Sequence, residues 1–131
     1  MTASGSTPGD PRPRILLVED DYDTRRLMAR MLEPVGDVVM AADGEEALER
    51  LLEVRPDLVV TDAMMPNLDG LGLTRLVKAD PALAEIPIVV VTAKGLPRDV
   101  IEGINAGARF YLTKPFTPAE LVDKARRALR R

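Results

Sequence analysis

The stretch LVVTDAMMPNLDG, residues 58–70, decides the fold. An apolar run, Leu58-Val59-Val60, has the character of a strand buried on both faces. It runs through Thr61 into an aspartate, Asp62, and a proline follows at Pro66. A carboxylate at the end of a buried strand is costly unless something pairs with it. The reason for Asp62 has to lie elsewhere in the chain.

The surroundings repeat the pattern. ILLV (15–18), DVVMAA (37–42), DLVVT (57–61), IPIVVVT (86–92) and RFYLTK (109–114) read as five strands. Helical segments separate them. DTRRLMARMLEPVG places Leu27, Met28, Met31 and Leu32 on one face. DGEEALERLLEV opens on Asp43 and Glu46 in capping-box spacing, with Leu48, Leu51 and Leu52 expected inward. LDGLGLTRLVKAD is a weaker helix, thinned by Gly70 and Gly72. PRDVIEGINAGA starts at Pro97, suited to a first turn. TPAELVDKARRALRR carries Thr117 as cap, Pro118 in the first turn and Glu120 closing a capping box. Strand and helix alternate five times with short connections. That predicts an α/β fold, a five-stranded parallel sheet with helices on both faces.

Composition narrows the chemistry. The chain has 131 residues, 46% hydrophobic and 30% charged, with net charge −3. This suits a single domain and gives no general pull toward nucleic acid. The opening MTASGSTPGDPRP has little to bury, so residues 1–13 are expected to be a disordered tail and 14–131 the domain. No apolar run reaches membrane-spanning length and no signal-like stretch opens the chain, which predicts a cytoplasmic protein with no membrane partner. Cys and His are both absent. Thiol chemistry and the commonest acid–base group are therefore excluded, leaving carboxylates, hydroxyls, lysine and a hard cation.

Open α/β sheets bind ligands at the carboxyl ends of their strands. Those ends carry Glu19, Asp20 and Asp21, then Thr61 and Asp62, then Thr92, then Lys114. Glu19, Asp20 and Asp62 together raise one another's pKa, a conflict that a divalent cation removes. Without His or Cys, the cation is Mg²⁺, with Mn²⁺ as a substitute. A metal, a carboxylate nucleophile, a hydroxyl and an ammonium form a set for phosphoryl transfer onto an aspartate.

LLVEDD, VVTDAMMPNLDG, PIVVVTAK and FYLTKPF, in this order and spacing, resemble the response-regulator receiver domain of bacterial two-component signalling. The resemblance covers about residues 14 to 131. It implies a flavodoxin-like (βα)5 fold with strand order 2-1-3-4-5. It also implies a phosphoprotein that catalyses only its own aspartyl phosphorylation and dephosphorylation, not an enzyme of other substrates. By position, Asp62 would accept phosphoryl from a phosphohistidine on a sensor histidine kinase or phosphotransfer protein. Asp20 would bind Mg²⁺ directly, Glu19 largely through water, and Met64 through its backbone carbonyl. Lys114 would pair with Asp62, then with a phosphoryl oxygen. Thr92 and Tyr111 would form the switch, and Lys114-Pro115 would be a cis peptide. Met64 and Lys94 would border the path of the hydrolytic water. The output would be a downstream protein or a homodimer, through the fourth helix, fifth strand and fifth helix.

Plainer readings exist for each residue alone. Asp20 and Asp21 suit a helix start, Asp62 a turn, Lys114 a loop and Thr92 a strand end. Tyr111 suits a half-buried strand, and Met28, Met31 and Met65 suit core filling. The coincidence of the acids, Thr92 and Lys114 on four strand ends outweighs the plainer readings there, while the methionines stay core filler. KARRALRR suggests nucleic acid, but Glu120–Lys124 and Asp123–Arg127 in i,i+4 spacing suit a solvated helix end, so no direct nucleic-acid contact is expected. A haloacid-dehalogenase-type phosphohydrolase would need an acid where Met64 stands. An FMN carrier would need a phosphate loop where EDDYD stands, and the full acidic set argues against a degenerate binding module.

Overall fold

The computed structural model describes residues 12–93 and 97–130. Its elements alternate: β1 (Arg14–Val18), α1 (Tyr22–Leu32), β2 (Asp37–Ala41), α2 (Gly44–Val54), β3 (Leu58–Asp62), α3 (Gly70–Ala79), β4 (Ile88–Thr92), α4 (Pro97–Ala106), β5 (Phe110–Thr113) and α5 (Pro118–Leu129). The strands form one parallel sheet in the order β2-β1-β3-β4-β5.

The central strands are buried at every position of β3 and β4, as continuous apolar runs require. Alternate residues feed two cores. Leu16, Val18, Val59, Ile88 and Val90 pack with Ala47, Leu51, Leu73 and Val77. Ile15, Leu17, Leu58, Val60, Val89 and Val91 pack with Met28, Leu32, Leu121 and Ala125. Each fully buried leucine contributes about 1.5–3 kcal/mol.

Local chemistry sets the helix starts. Asp21, Asp43, Asp69 and Thr117 are N-caps, accepting from the N–H groups of Thr24, Glu46, Gly72 and Glu120. The capping box at Thr117 and Glu120 closes as expected. At α2 the Glu46 carboxylate reaches past the cap to the Ala42 N–H, at 2.7 Å. Asp123–Arg127 forms an ion pair at 3.3 Å. Glu120 is engaged by its box, and Lys124 lies 5.4 Å from the centre of the Phe110 ring.

Two inward expectations fail. Leu27 is 55% exposed and Leu52 is 67% exposed. Helical residues turn by about 100° each. The buried stripe of α1 runs through Met28 and Leu32, and that of α2 through Gly44, Ala47 and Leu51. Leu27 and Leu52 fall off these stripes. Strand limits also shift. Pro87 has no N–H to donate, so the β4 ladder begins at Ile88 rather than at residue 86. β3 ends on Asp62 itself, one residue later than expected, and β2 and β5 are trimmed.

Residues 1–11 of the expected tail lie outside the described residues. Its last two are held by the domain. Arg12 pairs with Asp37 at 3.1 Å and donates to the Glu33 carbonyl, while the Pro13 carbonyl accepts from the Asp37 N–H at 2.8 Å. Among the described residues no helix is long and apolar enough to cross a membrane.

Truncating a core residue therefore costs more than removing a cap. Leu17→Ala should lose about 2–5 kcal/mol and Thr117→Ala about 1 kcal/mol in urea unfolding. The opposite order would contradict this division of the stability.

Candidate functional site

Parallel register brings the strand ends to one rim. Val18 pairs with Thr61, Asp62 with Val91, and Thr92 with Thr113. The residue after β1 is Glu19, whose N–H is bonded to the Ala41 carbonyl at 3.1 Å, so the acidic loop is anchored to β2. The residue after β5 is Lys114, whose N–H donates to the Thr92 carbonyl at 2.7 Å. Lys114-Pro115 is cis, as the resemblance implied.

Glu19, Asp20 and Asp62 each offer a carboxylate oxygen, all within 4.8 Å of one another. Glu19 and Asp62 are buried, while Asp20 is exposed. Lys114 Nζ lies 3.4 Å from Glu19 Oε1 and 3.7 Å from Asp62 Oδ1. The ammonium is thus shared between two buried acids rather than dedicated to Asp62. It cannot neutralise both, and Asp20 adds a third charge.

The carboxyl pKa values record the conflict. Burial pushes Glu19 up, the Asp21 N–H opposes this, the Asp62 charge adds to it and Lys114 offsets part. Burial also pushes Asp62 up, against Lys114 and the Met64 and Ala63 N–H groups, with the Asp20 charge raising it further. Asp21 is held low by its hydrogen bonds from Thr24, the helix-cap role that the plainer reading gave it. An all-oxygen set with surplus negative charge fits a hard divalent cation. Glu19, Asp20 and Asp62 are the side chains that would hold it.

Thr92 is buried at the end of β4 and Tyr111 is half-buried on β5. Burial pushes the Tyr111 phenol up, the Thr92 side chain opposes this, and the charges of Asp99 and Glu102 add to the rise. Met64 is 55% exposed beside the cluster. Lys94 lies outside the described residues.

Other contributors escaped the sequence reading. Arg25 donates to the Glu19 carbonyl at 2.8 Å, and the Asp21 N–H donates to Glu19 Oε2 at 3.0 Å. Gly70 lies so close to Asp62 that an added Cβ would sit 2.2 Å from the Asp62 carbonyl oxygen. Only glycine fits there, so Gly70 lets α3 start directly against the Asp62 backbone. Its place in LDG, eight residues after Asp62, was the available signal. An apolar groove lined by Leu27, Met31, Pro115 and Phe116 borders Lys114.

Comparison with known proteins agrees with this architecture. The family model described as response regulator receiver domain matches residues 15–126. The DNA-binding response regulator MtrA of Mycobacterium leprae is 41% identical over 121 residues, 92% of this chain and 52% of that protein. The probable transcriptional regulator ycf27 of Cyanophora paradoxa is 43% identical over 121 residues, 92% of this chain and 49% of that protein. The chain spans about half the length of these curated relatives. A crystal structure of a putative response regulator from Chloroflexus aurantiacus superimposes with TM-score 0.87 at 36% identity, covering 93% of this chain and 100% of that one.

The raised carboxyls carry a sign. The folded state keeps protons on Glu19 and Asp62 at a pH where the unfolded chain has released them. Their contribution to metal-free stability therefore falls as pH rises through the interval above the ordinary carboxylate range. Asp62→Asn should stabilise the metal-free protein at neutral pH by on the order of 1 kcal/mol. The gain should shrink as the pH is lowered through that interval, and Mg²⁺ should narrow it at neutral pH. Thermal unfolding of both proteins across pH, with and without Mg²⁺, checks this. A gain that grew on acidification would reverse the assignment.

Proposed function

The chain belongs to the response-regulator receiver domain family, and on that premise we propose that Asp62 accepts a phosphoryl group from the phosphohistidine of a sensor kinase or phosphotransfer protein. The observation that carries this is the shared Lys114 ammonium between buried Glu19 and Asp62 at the rim of the sheet. A carboxylate oxygen of Asp62 attacks phosphorus in line with the departing imidazole nitrogen. The P–N bond breaks, an O–P bond forms, and the imidazole, already protonated on its other ring nitrogen, keeps the electron pair and leaves neutral. Lys114 turns from Asp62 to a phosphoryl oxygen, and the Thr92 hydroxyl donates to another. Glu19, Asp20 and Asp62, with the Met64 carbonyl, would hold Mg²⁺. Bound there, the ion would neutralise carboxylate and phosphoryl oxygens. The groove at Leu27 and Phe116 supports this reading, since it gives a phosphodonor protein an apolar surface beside Lys114.

The output leaves through α4, β5 and α5. Arg98, Arg109, Lys124 and Arg127 alternate there with Asp99, Glu102 and Asp123. Ile101 and Ile104 are 56% and 57% exposed. Mixed charge around apolar residues suits a specific protein partner or a second copy of this chain. The phosphorylated and resting conformations differ by a few kcal/mol, a gap that phosphoryl contacts can reverse. The name of the mycobacterial relative concerns DNA binding by that longer protein. Within this receiver the basic end of α5 is read as a solvated helix end.

With acetyl phosphate and Mg²⁺, mass spectrometry should register one added phosphate. Asp62→Asn should abolish it and Asp20→Asn should weaken the Mg²⁺ dependence. Unchanged labelling of Asp62→Asn would sink the assignment. Met64 cannot orient a hydrolytic water, so Met64→Asn should lose its phosphoryl group several-fold faster than wild type; slower loss would refute this role. Beryllofluoride with Mg²⁺ should shift amide resonances from Asp62 through Thr92 to Tyr111 and α4. Shifts confined to the surroundings of Asp62 would exclude signalling through this face.

A further inference from the structure

Tyr111 is fixed at two ends by two different elements. Its phenol interacts with the Thr92 side chain on β4. Its ring lies against Gly103 on α4, where an added Cβ would come within 2.4 Å of Tyr111 Cδ2 and 2.5 Å of Cε2. Real side chains do not tolerate such contacts, so the ring occupies the space that any other residue at 103 would fill. Gly103 is itself buried, in the second half of α4. A glycine there weakens the helix relative to alanine. Among the heavy atoms an added Cβ would meet, the nearest belong to Tyr111, and all three of the nearest are in its ring.

We propose that Gly103 is a positioning residue for Tyr111. The bare Cα forms a slot that seats the ring on α4 and holds the phenol against Thr92, and this sets the resting balance of the switch. The proposal deepens the function proposed above and rests on Thr92 and Tyr111 being the switch pair. The slot is also where α4 senses the ring. When Tyr111 changes rotamer, the contact with Gly103 changes with it, and no side chain on α4 has to move first.

A double-mutant cycle separates this from a plain packing role. Gly103→Ala should lower the thermal midpoint of the wild type, because the methyl meets the ring. In a Tyr111→Ala background the same substitution should raise the midpoint, since the helix gains alanine and nothing is displaced. In the wild type, nuclear Overhauser contacts should link the Tyr111 ring to the Gly103 α protons. In Gly103→Ala the Tyr111 ring resonances should move toward those of exposed Tyr22. The same variant should show a smaller beryllofluoride-induced shift at Thr92 and Tyr111 while still binding beryllofluoride at Asp62. A Gly103→Ala protein that unfolds alone but folds with Tyr111→Ala supports the slot. Unfolding in both backgrounds, or equal stabilisation in both, overturns it. If the wild type itself shows no beryllofluoride response at Thr92 and Tyr111, the switch reading fails and the regulatory role of Gly103 fails with it. A responsive wild type without coupling in the cycle removes Gly103 alone.

Discussion

The structure turns on the burial of two carboxylates beside a third with one ammonium to share among them. Glu19 and Asp62 lie out of water, and Lys114 stands 3.4 Å from one and 3.7 Å from the other. Water would solvate these groups separately at little cost, and the fold forbids it. Much of the rim serves to hold the arrangement. Arg25 and the Asp21 N–H fix the Glu19 loop. Gly70 presses on the Asp62 backbone. The Thr92 carbonyl pins the Lys114 backbone. A structure optimised for stability alone would place apolar residues here, so the retained charge is a mark of use.

Much of this was legible in the chain. Continuous apolar strands interrupted by helical periods give a parallel sheet, because only strands covered on both faces lack polar alternation. The polar residues ending four of the five strands then locate the rim. Asp43, Thr117 and Pro118 were readable because caps act within a few residues of themselves. The strand order came from family resemblance, since periodicity does not say which strands are neighbours.

What stayed hidden depends on the third dimension. Leu27 and Leu52 look buried because their neighbours Met28 and Leu51 are, yet helix phase puts them outside. Lys114 reads as a partner for Asp62, while its nearer oxygen belongs to Glu19, 95 residues away in sequence. The fit of Gly70 against Asp62 and of Gly103 against Tyr111 requires knowing what each faces across the fold. In the sequence Gly70 read only as a residue that weakens its helix, and Gly103 gave no signal.

The sheet also acts as a partition. On β5, Phe110 points into the core shared by α1 and α5, while Tyr111 points into the opposite core with Leu73 and Val77. The groove at Leu27 and Phe116 borders the first compartment, and the Tyr111 ring lies in the second. Between them stand β3 and β4, buried throughout. Substitutions in the two compartments should therefore combine nearly additively, because among the described residues their buried side chains form two separate clusters. Such a layout lets the surface beside the Leu27 and Phe116 groove diverge while the opposite face is kept, so that under the proposed function lineages can rewire who speaks to the domain without rewriting what it says.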